Sequence, residues 1–201
     1  MAEKKNGGSE SDTLEKSAIR LSYLISLFWC WGIVADPAKA PISGWIAWTV
    51  ICFAVAIARR NSDEPSKMWF LWGKLNVVTV AVIFAVGGGN WAFEKNFPYL
   101  AFGMIALVFS LSLDKKYARF GELLGGLSLA FAYVPQLQEW IMQQHDKPSM
   151  GLILASLGSM ANPTLFGLHS LKTTKRFGSG NTIAIMSSGA FLVTLLHAKL
   201  G

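Results

Sequence analysis

Residues 120–142 read FGELLGGLSLAFAYVPQLQEWIM, an apolar run broken near its end by Pro135 and Gln136. Proline withholds a backbone N–H, and the glutamine amide needs hydrogen-bond partners that hydrocarbon does not supply. A bilayer-spanning helix carrying this pair must turn it toward protein or a wet cavity. The stretch therefore predicts a kinked helix beside a pathway through a membrane.

Working outward, six further apolar blocks flank it: 18–35, 42–58, 68–86, 98–113, 151–171 and 181–199. Each approaches the ~20 residues that cross ~30 Å of hydrocarbon. With 52% hydrophobic and 15% charged residues in 201, and only short connectors, the chain has no room for a second domain of ordinary size. The expected fold is an all-α membrane protein of seven transmembrane helices. A common shift lays Pro41-Ile42-Ser43-Gly44 over Pro148-Ser149-Met150-Gly151, so the helix starts of the two halves coincide. Three is an odd number, and an extra helix between two three-helix units gives both the same direction. The layout expected is a disordered cytoplasmic tail over 1–17, a first bundle over 18–86, a linker helix with its loops over 87–119 and a second, parallel bundle over 120–201.

Charge orients the chain. One side would carry Lys4, Lys5, Lys16, Arg20, Arg59, Arg60, Lys67, Lys115, Lys116, Arg119, Lys172, Lys175 and Arg176; the other carries Lys39, Lys95, Lys147 and Lys199. The excess of cations on cytoplasmic loops then puts the amino terminus in the cytoplasm and the carboxyl terminus outside. The net charge of +6 reads as a topology signal, and no nucleic-acid partner is expected. Ala38-Lys39-Ala40 has the small-residue pattern of a signal cleavage site, but the first apolar stretch exceeds a signal core and Pro41 follows, so the span is read as retained.

Little points to an enzyme. Cys30 and Cys52 lie inside spans without metal-ligand spacing, and His145, His169 and His197 are scattered, so neither a metal nor a cofactor is expected. No nucleophile elbow or carboxylate pair occurs, and Gly87-Gly88-Gly89 reads as a helix-ending turn rather than a phosphate cradle. Gly125-Gly126 reads as a close-packing site.

Binding groups are more visible. Trp69, Trp72 and Asn76 fall at i, i+3 and i+7 of the third span, so two indoles and an amide share one face. That face could stack a ring and hydrogen-bond its edge; alternatively, the tryptophans belong to an interfacial belt. Asn162, Phe166 and His169 make a similar stripe in the sixth span, where Pro163 loosens the helix next to the amide. Asn76 and Asn162 either line a cavity or glue helices together. Lys74 and Glu122 are either snorkelling charges or functional ones.

Two resemblances add to this reading. Ala132-Tyr133-Val134-Pro135-Gln136, then Lys147-Pro148-Ser149-Met150-Gly151, then Asn162 through Phe166-Gly167, resembles the PQ-loop superfamily, which includes SWEET and semiSWEET sugar transporters and lysosomal amino-acid exporters. The resemblance implies a solute pathway between two three-helix bundles, with Pro135 as a hinge, Gln136 as a polar contact and Tyr133 as the aromatic residue beside them. The first half has Phe28-Trp29-Cys30 where a second Pro-Gln would stand. The run Trp69-Phe70-Leu71-Trp72 with Asn76-Val77-Val78 is similar to a segment of bacterial nicotinamide riboside transporters, which share the three-one-three layout.

The sequence thus predicts a facilitative transporter for a small polar solute such as a sugar, amino acid or nucleoside. Gln136, Asn76, Asn162, Trp72, Phe166 and Tyr133 are its candidate contacts, and Pro135 and Pro163 its hinges. The alternative is a seven-helix receptor or sorting protein that binds without transport. Partners are the solute and membrane lipid, and a homo-oligomer is left open.

Overall fold

Six apolar blocks become helices over their described residues, and the 120–142 block is described as helix as far as Ala132. A computed structural model describes residues 6–35, 42–61, 66–87, 93–112, 117–133 and 147–200; Pro135, Gln136 and His145 lie outside them. The described residues form α1 (Asn6–Ala35), α2 (Ile42–Asn61), α3 (Lys67–Ala85), α4 (Phe93–Ser112), α5 (Ala118–Ala132), α6 (Met150–Thr174) and α7 (Ser179–Leu200). Four helical stretches, Glu10–Ala35, Lys67–Ala85, Met150–Thr174 and Ser179–Leu200, are long and apolar enough to cross a membrane.

Helix ends follow local chemistry. α3 stops where Gly87 takes a left-handed backbone, φ 65°, and donates to the Phe84 carbonyl. α6 starts at Ser149, whose hydroxyl accepts from the Leu152 N–H at 3.2 Å, and ends where Lys175 turns left-handed at φ 60°. Pro163 has no N–H to donate to the carbonyl four residues earlier, yet α6 runs on through it.

The tail expected to be disordered, 1–17, overlaps α1 from Asn6 onward. Ser11 is buried against His169 Nδ1 at 3.0 Å, Glu10 meets Lys172, and Glu15 meets Lys67 at 3.1 Å.

Side-chain contacts give helix directions. Ser11 with His169 and Gly151 against Phe28 and Trp31 make α1 and α6 antiparallel. Glu15 with Lys67 brings the starts of α1 and α3 together, and Gly180 with Glu122 does so for α5 and α7. Asn61, at the end of α2, donates to the Ser110 carbonyl near the end of α4. The chain thus alternates direction from helix to helix, and α1, α3, α5 and α7 begin at one common end. We call it the amino-terminal end.

Packing closes a ring. In order around it, α1 touches α3, α3 touches α2, α2 touches α5, α5 touches α7, α7 touches α6, and α6 returns to α1; α4 packs outside against α2 and α5. Around an apolar core, the outer surface is also rich in large apolar side chains. Leu27, Leu111, Met186 and Val193 are exposed, whereas Ser22, Asn76, Thr79, Asn162, Ser170 and Asn181 are buried.

Candidate functional site

The ring has a hollow centre. All six ring helices, or residues at their ends, border it: Trp29 from α1, Trp45, Trp48 and Cys52 from α2, Trp69, Trp72 and Asn76 from α3, Tyr133 just past α5, Ser159 and Pro163 from α6, and Ser188 from α7, with Met68 and Ala184 between them. No described residue of α4 borders it. The cavity volume is about 60 Å³, below the ~300–1,000 Å³ of small-molecule sites, so a sugar-sized solute would need the ring to widen.

Two matched stripes form its wall. Trp45, Trp48 and Cys52 stand at i, i+3 and i+7 of α2, the spacing of Trp69, Trp72 and Asn76 on α3. Because α2 and α3 are antiparallel, the indoles of each stripe lie toward its own helix start. The stripes meet at their polar ends, where Asn76 Nδ2 reaches Cys52 Sγ at 3.6 Å. Around the α2 stripe the rings pack closely. Trp45 and Trp48 meet edge-on with centroids 5.0 Å apart, Trp29 and Trp45 at 5.2 Å, and Trp48 and Tyr133 at 4.7 Å. Such contacts hold large rings in fixed orientations without strong polar bonds.

The cavity's hydrogen bonds are unevenly satisfied. Trp29 Nε1 donates to Ser159 Oγ at 3.3 Å, Tyr133 Oη and Ser188 Oγ lie 3.1 Å apart, and Trp72 Nε1 donates to Asn162 Oδ1 at 3.0 Å. Trp48 and Trp69 differ. They are only 5% and 3% exposed, and neither Nε1 has an acceptor among the described residues. A buried donor without a partner costs about 1–3 kcal/mol, and here one such donor comes from each stripe.

Asn76, Trp72, Tyr133 and Pro163 border the cavity, whereas Gln136 and Pro135 lie outside the described residues. Asn162 does not border it. This fully buried amide donates to the Ala18 carbonyl at 2.7 Å and to Ser22 Oγ at 2.8 Å while accepting from Trp72. All its strong bonding capacity goes to tying α6 to α1 and to steadying Trp72 from behind. Phe166 is likewise buried in the core without reaching the cavity. Trp69, for which an interfacial belt was the competing reading, instead faces the ring interior. Lys74 sits on the exposed outer face of α3, and Glu122 is buried rather than snorkelling.

Sequence reasoning missed Trp45, Trp48, Cys52 and Ser188. The signal for the first three was present: the spacing that drew notice in α3 recurs in α2. Ser188 sits in a small-residue patch, Ser187 to Ala190, whose composition favours close packing over solute contact. No family model, curated protein or solved structure matches the chain.

Proposed function

We propose that this chain crosses a membrane seven times and passes a small polar solute through the centre of its helix ring. The observation that carries the reading is the cavity itself, bordered by every ring helix or a residue at its end and holding two indole donors that no group among the described residues satisfies. A solute offering oxygen acceptors would satisfy them, and the surrounding rings would stack on its flat or apolar faces. No charged side chain borders the cavity among the described residues, which favours solutes without strong net charge.

The helix order supports two parallel three-helix units, α1–α3 and α5–α7, with α4 as the joint. Exchanging the units maps α1·α3·α2 onto α5·α7·α6 and the contact α1·α6 onto α5·α2. An approximate twofold axis along the membrane normal would produce that pattern, and transporters built from parallel repeats bind near such an axis. The PQ-loop resemblance of 132–151 fits the same scheme. Transport would then be rocking of one unit against the other, driven by the solute gradient.

The test is uptake of labelled hexose, nucleoside and amino acid into proteoliposomes, for the parent chain and for Trp48→Phe and Trp69→Phe. Saturable uptake of one class is expected, with each substitution raising KM roughly tenfold, about the loss of one hydrogen bond to the solute. Saturable binding without flux in any class would replace transport by a receptor or sorting role.

A further inference from the structure

At the amino-terminal end of the ring, three helices converge on one carboxylate. Arg59, in the last turn of α2, and Glu122, in the first turns of α5, are 2% and 5% exposed. Arg59 Nε donates to Glu122 Oε1 at 3.1 Å, and Nη2 lies 3.0 Å from the same oxygen. That oxygen also accepts from the Gly180 N–H, at the start of α7, at 3.3 Å. The carboxylate is therefore held by a guanidinium from one proposed unit and by a helix N-terminus from its own, whose dipole favours an anion.

The neighbourhood is tightly built. Gly178 has φ 84°, and a Cβ there would strike the Arg59 guanidinium. About one turn inward from Glu122, a Cβ on Gly125 would strike Val55 of α2, and one on Gly126 would crowd Ile183 and the Gly180 backbone of α7. The assembly also adjoins the cavity. A Cβ on Gly180 would lie 3.4 Å from Glu122 Oε1 and 3.4 Å from Cζ2 of Trp69, a cavity-lining ring. Going outward from the hollow centre, one meets Trp69, then the Glu122 carboxylate with Gly180, then Arg59 against Gly178.

We infer that the Arg59–Glu122–Gly180 junction is the closure that seals the cavity at the amino-terminal end, and that it must part for the cavity to open there. The inference rests on the cavity being a solute pathway. Its logic is energetic: a buried ion pair is expensive to break one-sidedly, because parting strands a charge unless water enters with the opening. The pair thus holds the end shut when dry and is released only by an opening wide enough to hydrate both groups. Among the described residues, the opposite end of the cavity has no matching ion pair; aromatic rings of α1, α2 and α7 meet there instead.

The chain supplies its own probe. Cys30 and Cys52 are the two cysteines of the sequence, and Cys52 borders the cavity. In a Cys30→Ser background, a membrane-impermeant maleimide applied from the amino-terminal face should label Cys52 slowly. Glu122→Gln, which removes the ion pair but keeps a polar side chain of the same shape, should speed labelling roughly tenfold or more, since breaking a buried pair exceeds the 1.4 kcal/mol of one decade. Ser149→Ala, a destabilising change far from the junction, should leave the rate alone. Equal rates in parent and Glu122→Gln would overturn the proposal, as would equal acceleration by Ser149→Ala. If Glu122→Gln does not fold, fast labelling of the Cys30→Ser protein from that face is enough to overturn it. Uptake measured in parallel separates the two readings: labelling as expected without flux removes transport and leaves the closure, and flux with unchanged labelling removes the closure alone.

Discussion

Trp72 serves two purposes, with its ring on the cavity and its N–H spent on Asn162. Trp72→Phe keeps most of the ring but leaves the fully buried Asn162 Oδ1 without its donor, so we expect a loss of about 1–3 kcal/mol, read as a lower thermal midpoint of the detergent-solubilised protein. That outcome would distinguish Asn162 from a solute contact, since the effect appears with no solute present. The roles of these side chains were only partly legible. Helical spacing put Trp69, Trp72 and Asn76 on one face because neighbours along a helix are fixed by its own geometry. Nothing comparable places Asn162, whose partners Ala18 and Ser22 lie more than a hundred residues away and are chosen by tertiary packing alone. A lone mid-span amide reads the same whether it faces a void or another helix.

Among the elements, α5 and α6 carry the most testable local choices. Gly125 allows α5 to lie against Val55 of α2, so Gly125→Ala should destabilise by roughly 1–3 kcal/mol through overpacking, seen in the same thermal assay. The paired glycines announced close approach from sequence; which helix approached did not follow, because small residues admit any neighbour. Ser149 caps α6, and Ser149→Ala should cost about 1 kcal/mol without changing solute affinity, measured by thermal midpoint and binding side by side. The first turns of α1 are polar enough to suggest disorder; there Ser11 is buried against His169, while Glu10 and Glu15 make exposed ion pairs with Lys172 and Lys67 that add little.

On the scale of the whole molecule, the alternating helices bring Arg59, Arg60, Lys67, Lys172, Lys175 and Arg176 to the amino-terminal end. A reporter fused after Gly201 should therefore read on the non-cytoplasmic side; a cytoplasmic signal would reverse the orientation inferred from cation bias. The seven blocks were legible because length and hydropathy are local properties. The cyclic order of the helices was not, since any seven short-looped spans share that pattern. The two antiparallel stripes of α2 and α3 carry a last implication. If a solute crosses as proposed, it meets a pair of indoles on either side of the amide and thiol halfway along, so this wall would prefer neither direction of travel. Any one-way bias would then come from the two ends, where the contacts differ: an ion pair at one and aromatic rings at the other.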